Sequence, residues 1–523
     1  MELNSVDRRP SLHTRPSRRR ARAACAGSGR LVVLALASCG ITVSLMQTIV
    51  MPLLPEFPRL LHTTPGGAVW LVTVNLIAGA VCAPVLGRLG DMYGKRRLLL
   101  IALAVMVTGS ALGALFDTFA AVLIARALQG AAVGAVPLGI SIMRDELPPR
   151  RVAGGIALMS STLGAGGAIG LPLTGVVAEH LSWHWLFGGA AVIGVLGMGA
   201  IWAVVPESPV RSGGKFDLLG ALGLTAALVC LLLAITQGNG WGWGSGPVLG
   251  LFAGAAALFL VWGRYELRLT PARRAAGVRQ PLVDLRVSAR RPILLTNIAS
   301  ILVGFAMFTS FMVSAQIFQA PLETGYGYGM SLTLSGLALL PAGLMMVAFS
   351  PVTAYLSDRC GPRRTFLIGT MILMATNLVR AVTPPHLVVV IGAATVTSVG
   401  AAFAYGAIPA MIMRAVPTTE TAAANSLNTL ARSLGTSTCS AVVAALTTAS
   451  VMHIAGVEYP TAAAYAAVFG IAAAAGLLAV GIGMFIPRGD LLVEGPPAAE
   501  VWESAEKETC AAMEGAPRRE PAR

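Results

Sequence analysis

Charge is what this chain has least of. Of its 523 residues only 12% are Asp, Glu, Lys or Arg, while 55% are hydrophobic and the mean hydropathy is +0.73. A soluble domain carries about 25% charged residues, so a soluble globular protein is excluded and a polytopic membrane protein indicated. Cysteine is sparse as well. Cys25, Cys39, Cys82, Cys230, Cys360, Cys439 and Cys510 form no CxxC pair and no pair in an outer loop, which leaves neither a disulfide framework nor a zinc site. His180 and His184 have i,i+4 spacing but only Glu179 beside them, too few ligands for a metal. No nucleophile–base pair falls at membrane depth, so neither an enzyme nor a cofactor is expected.

What fills the chain instead is apolar sequence rich in Gly and Ala, which suits close helix packing in lipid. A hydrocarbon core needs about 20 apolar residues per helix. Fourteen stretches qualify: 31–55, 66–89, 97–116, 119–142, 152–177, 185–205, 216–237, 246–263, 292–319, 331–356, 364–382, 386–412, 421–449 and 462–486. The eleventh is the weakest, because Arg380 ends its uncharged run. The net charge of +14 suggests a nucleic-acid binder until its distribution is read. With a cytoplasmic N-terminus, every Lys and Arg except Arg59, Arg126, Arg380 and Arg432 falls in the tails or the even-numbered loops. The positive-inside rule then places both termini in the cytoplasm. The basicity is topological. Arg-rich residues 15–22 and Leu36-Ala-Ser-Cys39 mimic a lipoprotein signal, but the apolar run continues through Val50, so no cleavage is expected.

Between the second and third stretches lies Gly87-Arg-Leu-Gly-Asp-Met-Tyr-Gly-Lys-Arg-Arg97. Gly87 lets a neighbouring helix approach and Gly94 permits a tight turn. Asp91 supplies an anion, while Lys95, Arg96 and Arg97 hold the loop at the inner surface. A partial copy, Ala354-Tyr-Leu-Ser-Asp-Arg-Cys-Gly-Pro-Arg-Arg364, places Asp358, Gly361, Arg363 and Arg364 at an offset of 267 residues. Gly134-Ala-Val-Pro137 and Gly406-Ala-Ile-Pro409 repeat at an offset of 272. Each copy lies eight stretches on, as two six-helix halves with two helices inserted between them require. The chain therefore divides into a tail (1–30), a bundle (31–205), inserted helices 7 and 8 with a basic loop (206–291), a second bundle (292–486) and a tail (487–523). The tails lack apolar periodicity and read as disordered. The loop 264–291, with eight arginines, reads either as an amphipathic element on the inner leaflet or as a solvated linker.

The 87–97 loop resembles the loop between helices 2 and 3 of major facilitator superfamily transporters, G-x-L-x-D-x-x-G-[RK]-[RK]. The resemblance implies that Asp91 caps a helix of the opposite bundle, here span 13, which opens Pro417-Thr-Thr-Glu420. By symmetry Asp358 should face the start of span 5 near Arg151. Arg126, Gln129 and Gly130 match the family's R-x-x-Q-G, whose arginine is implicated in proton coupling. A bare arginine there costs about 2.5–3.5 kcal/mol and needs a partner or a watery cavity. Gly166, Gly170 and Gly175 fit the exporter signature G-x-x-x-G-P-x-x-G-G. Leu171 stands at its proline, Pro172 follows one residue late, and Thr174 replaces a glycine. Trp183-His-Trp-Leu-Phe187, Phe216-Asp217, Gln237-Gly-Asn-Gly-Trp-Gly-Trp243 and Asn425, Asn428, Arg432, Gly435 are similar to the fourteen-helix drug:proton antiporter branch. That branch usually carries L-D-x-T-I-V in span 1, where this chain reads Leu45-Met-Gln-Thr-Ile-Val50. Met46 stands at the acid position, and Glu56 is a distant substitute.

The expectation is an all-α polytopic membrane protein of the major facilitator fold, with pseudo-two-fold symmetry and 14 transmembrane helices. It sits in a bacterial cytoplasmic membrane as a monomer. It exports amphipathic small molecules such as drugs, dyes or secondary metabolites, by proton antiport with alternating access. Its partners are substrate, protons and lipid, with no nucleic acid, metal or cofactor. Gln47, Asn75, Asn297, Gln316 and Arg432 are candidates to line the cavity, though each also suits a helix bridge. An uptake permease or facilitator of the same fold and a non-transporting membrane sensor or scaffold are the alternatives.

Overall fold

A computed structural model of the chain describes residues 28–50, 53–54, 56–208, 210–212, 214–275, 281–454 and 456–487. Nearly all of both tails read as disordered lies outside the described residues. The first bundle runs through α1 (Ser28–Thr48), α2 (Pro65–Tyr93), α3 (Lys95–Leu115), α4 (Phe119–Glu146), α5 (Pro149–His180) and α6 (His184–Val204). Next come α7 (Leu218–Trp241) and α8 (Gly246–Ala275). The second half runs through α9 (Arg291–Gln319), α10 (Leu332–Cys360), α11 (Pro362–Val382), α12 (Leu387–Ala415), α13 (Thr421–Ala449) and α14 (Ala462–Phe485). Thirteen of these are long and apolar enough to cross a membrane. The fourteenth, α13, is 29 residues long, but Asn425, Asn428, Arg432 and many hydroxyls lower its hydropathy. A short antiparallel ribbon, β1 (Val451–Ile454) against β2 (Val457–Pro460), joins α13 to α14. It is an addition to the all-α expectation.

Apolar packing follows the two halves. Leu36, Met46, Leu71, Leu99, Leu138 and Phe187 belong to one buried cluster drawn mainly from α1–α6. Two further clusters, around Phe318 and Phe469 and around Phe366 and Ile412, hold α9–α14 together. The inserted pair α7/α8 packs its Leu224, Leu228 and Trp262 with Ala80 of α2 and Leu430 of α13, so it covers the seam where the halves meet. Large apolar side chains such as Leu196, Trp202, Leu260, Val382 and Leu478 stay exposed, as a lipid-facing surface requires.

Lipid gives helices little hydrophobic reason to associate, so close backbone approach and dispersion must hold them. A side-chain carbon at Gly435 would lie 2.1 Å from the Ile301 carbonyl, and one at Gly130 2.3 Å from that of Asn75. These glycines set the α13–α9 and α4–α2 distances. At the ribbon end, burial raises the phenols of Tyr326 and Tyr328 above their ordinary range. They stay protonated and donate to the carbonyls of Pro460 and Pro385.

Arg380 corrects the sequence reading. It lies inside α11, 6% exposed, and donates to the Ser310 carbonyl and to the Ser310 and Ser314 hydroxyls of α9. Its guanidinium sits 3.9 Å from the Phe469 ring centre. The eleventh span is thus complete, with its charge turned inward.

Gly435→Val is expected to separate α13 from α9 and lower the monodisperse yield after detergent extraction several-fold. Gly250→Val, where nothing lies within 4 Å, should leave that yield unchanged. Equal yields would contradict glycine-limited packing.

Candidate functional site

The first turn of α13 has free amide groups, and Glu420, at its N-cap, makes no side-chain cap. Asp91 fills that place from the other half. Its carboxylate accepts from Ala422 N at 3.2 Å and Ala423 N at 2.8 Å, at the positive end of the helix dipole. The approach depends on Gly87, where a side-chain carbon would fall 2.2 Å from Ser426 Oγ and 2.7 Å from the Ala422 carbonyl. Gly94 ends α2 at φ +117°, so Lys95 starts α3 directly beneath.

Lys95 is fully buried. Its ammonium lies 2.7 Å from Asp145 Oδ2 and 3.6 Å from Asp91 Oδ1, and it donates to Thr421 Oγ1 at 3.0 Å. One cation thus serves two carboxylates and a hydroxyl of α13. Asp145, at the end of α4, accepts a further bond of 2.6 Å from Ser208. The segment after α6 also reaches this junction. Glu207 accepts from Arg96 N and Arg97 N at 3.2 Å each, capping α3, and Ser212 N donates to the Asp91 carbonyl. Sequence reasoning missed Asp145, Glu207 and Ser208. The available signal was the Arg144-Asp145-Glu146 triplet closing an apolar span, which needs a counter-ion once buried.

The second loop is a partial copy in structure as well. Arg96 donates to the carbonyl of Trp202 near the end of α6, and Arg363 donates to those of Gly483 and Met484 near the end of α14. Each arginine ties the first helix after its loop to the last helix of its half, where carbonyls favour a cation. Gly361 takes φ +85°, as Gly94 takes a positive φ. The match stops at the acid. Asp358 is exposed and feels the charge of Arg414 in α12, with no described hydrogen bond to α5, so the expected contact near Arg151 is not formed. Pro362 stands where a second Lys95 would be, and Arg364 makes no described hydrogen bond.

Arg126 is buried in α4 and spends its donors on acceptors of three helices. It reaches the Met46 carbonyl at 2.7 Å, Gln129 Oε1 at 2.8 Å and the Leu71 carbonyl at 3.3 Å. Asn75 donates to the Arg126 carbonyl at 3.0 Å, so it bridges α2 to α4. Beside them Gln129 Nε2 donates to Ser110 Oγ at 3.0 Å and lies 3.7 Å from the Met46 sulfur, which is 4.0 Å from Ser110 Oγ. Two donors thus converge on a thioether, a weak acceptor. Glu56 lies apart, paired with Arg59 on the surface.

Helix α5 divides its small residues between two partners. At Gly166 and Gly170 a side-chain carbon would strike Ser44 and Thr48 of α1, and at Gly175 Thr333 of α10. Pro172, which has no N–H to offer, lets Gly336 of α10 pack against its nitrogen. Thr174 bonds the Gly170 and Ile49 carbonyls. Of the remaining cavity candidates, Asn297 accepts from Asn428 at 3.0 Å. Gln47, Gln316 and Arg432 are half-buried, and their side chains make no described hydrogen bond.

Two six-helix halves, with an aspartate of one capping a helix of the other, define an all-α polytopic membrane protein built as a joined pair of bundles. The Major Facilitator Superfamily pattern matches residues 36–436 and 306–511, and the chain belongs to that family. It is similar to an uncharacterized MFS-type transporter of Mycobacterium tuberculosis, 32% identical over 63% of this chain and 46% of that protein. The tetracenomycin C resistance and export protein of Streptomyces glaucescens is 28% identical over 66% of this chain and 62% of its own length. Multidrug resistance protein 3 of Bacillus subtilis is 27% identical over 70% and 69%. The chain spans about half the length of the first of these relatives. In fold it is similar to the human organic anion transporter MFSD10, at TM-score 0.61 and 19% identity, over 88% of this chain and 100% of that one. The proton:xylose symporter XylE follows at 0.59 and 14%, over 88% and 96%.

Lys95→Met leaves two buried carboxylates without their cation and is expected to cost about 3–5 kcal/mol, read as a lowered Tm of the detergent-solubilised protein. Adding Asp145→Asn should restore much of it. An unchanged Tm in the single variant would contradict a stabilising role for this cluster.

Proposed function

We propose that this protein exports amphipathic small molecules by proton antiport, working by alternating access as a monomer in a bacterial cytoplasmic membrane with both termini inside. The observation that carries the reading is the Asp91 carboxylate on the α13 amides. Residues 31–205 and 292–486 act as the moving bodies, and the Asp91–Lys95–Asp145 junction latches them on the cytoplasmic side. Gly87, Gly94 and Arg96 shape that latch. Asp358, Gly361, Arg363 and Arg364 brace the second bundle. The α5 face of Gly166, Gly170, Pro172 and Gly175 is the surface on which the halves pivot, being wedged between α1 and α10. Export is favoured over uptake by two relatives, a tetracenomycin C resistance and export protein and a multidrug resistance protein.

Proton coupling runs through the Arg126–Gln129–Gly130 junction, where α1, α2, α3 and α4 meet. The carrier is the weak point, because position 46 holds a sulfur where two donors converge. That observation favours a second reading, a facilitator of the same fold without tight coupling.

In everted membrane vesicles, Asp91→Asn removes charge-assisted bonds worth about 1.5–3 kcal/mol each and is expected to cut drug or dye uptake at least tenfold at equal protein level. Unchanged uptake would defeat the latch. Met46→Asp adds a titratable carboxyl beside Gln129, Ser110 and Arg126, and substrate-driven proton flux should rise and grow steeper with pH. Wild-type movement insensitive to the pH gradient would select the facilitator.

A further inference from the structure

Arg126 and Arg432 sit well inside their helices, Arg380 lies two residues from the end of α11, and the donors of the three are spent differently. Arg126 bonds two backbone carbonyls and a glutamine. Arg380 bonds a carbonyl and two serines, with a ring face beneath it. Arg432 in α13 has one partner only: its guanidinium lies 5.3 Å from the Tyr405 ring centre of α12. No hydrogen bond or ion pair engages it among the described residues. A ring face holds a guanidinium by its quadrupole from one side and leaves the in-plane N–H edges open.

The position adds weight. Arg432 is eleven residues past Thr421, about 16 Å along α13 from the Asp91-capped turn at 1.5 Å per residue, near the middle of the membrane. It is half-buried, so the side chain is not sealed among protein atoms. Its helix is held close to α9 at Gly304, where a side-chain carbon would lie 2.9 Å from the Arg432 carbonyl, and by Asn428 donating to Asn297 and Ser300. The described acids cannot neutralise it. Asp91, Asp145, Glu146, Glu179, Glu266 and Asp358 all lie within two residues of a span end, and the other described acids are in connections. A guanidinium left unpaired at this depth is costly unless it faces water or a ligand. Its planar fork matches a carboxylate or an ionised phenol.

We propose that Arg432, backed by Tyr405, is the substrate anchor and that the substrates are amphipathic organic acids, held by a carboxylate or phenolate oxygen on the guanidinium. The inference rests on the transporter reading and gives that reading its substrate class. With positive charge and no counter-acid at mid-depth, the site disfavours permanent cations.

The test uses the full chain in nanodiscs with fluorescein as anionic probe and ethidium as cationic probe, binding read by fluorescence anisotropy. Saturable fluorescein binding is expected in the wild type, weakened at least tenfold in Arg432→Gln and less in Arg432→Lys, which keeps charge but loses the fork. Tyr405→Leu should weaken it several-fold, and ethidium binding should not fall in any variant. Size-exclusion profiles establish that each variant is folded, and Arg432→Lys carries the comparison if Arg432→Gln is not. Absent fluorescein binding in the wild type, or binding unchanged in Arg432→Gln, overturns the proposal. Fluorescein that binds through Arg432 but is not moved by proteoliposomes would sink the transport reading while the anion site stands.

Discussion

Asp91 is an anion with almost no water, and it is stable there only because both halves of the molecule supply its partners. Lys95 comes from its own loop, while two amides come from the first turn of α13. Remove either side and a buried charge is left short, at a cost larger than the pair's net worth. Much else at this end follows from satisfying it. Gly87 has no side chain because α13 must come within reach, and Asp145 is placed to share the same ammonium. Glu207 and Ser208 fold the segment after α6 onto the cluster, so the link to the inserted helices is built into the same junction. The inserted pair is fastened close by, with Tyr265 donating to Asp217 at 2.9 Å.

The interior is organised by the same scarcity. With few acids to pair with, its arginines are met by carbonyls, hydroxyls, amides and ring faces. Arg126 and Arg380 each hydrogen-bond groups of neighbouring helices and so join helices within their half. Arg432 is left with a ring and an open edge. A transporter needs some groups committed to shape and others uncommitted until substrate arrives, and these three residues divide along that line.

Much of the fold was legible because a bilayer enforces simple rules. Apolar length marks spans, basic residues mark one face, and an offset of 267 residues marks duplication. The long helices follow the fourteen stretches, and glycine-rich α5 lies against α1 and α10. Buried charge was harder to read. Arg380 looked like the end of a span because sequence shows the charge but not the serines on α9 that absorb it. Asn75 suited either a cavity wall or a helix bridge, and it holds the Arg126 carbonyl. Asp358 shares a motif with Asp91 yet lacks a lysine beside it, since Pro362 stands there, and it remains at the surface. Asp145 and Glu207 escaped notice because their partners lie 50 and 111 residues away.

Asp91 is expected to hold the two halves together at this end, and loss of its charge to free them. Paired spin labels at Tyr93 and Thr418, both exposed, report the separation across that junction in a cysteine-free background. The wild type should show one short distance, and Asp91→Asn should add a longer one. An unchanged single distance in Asp91→Asn would contradict the account.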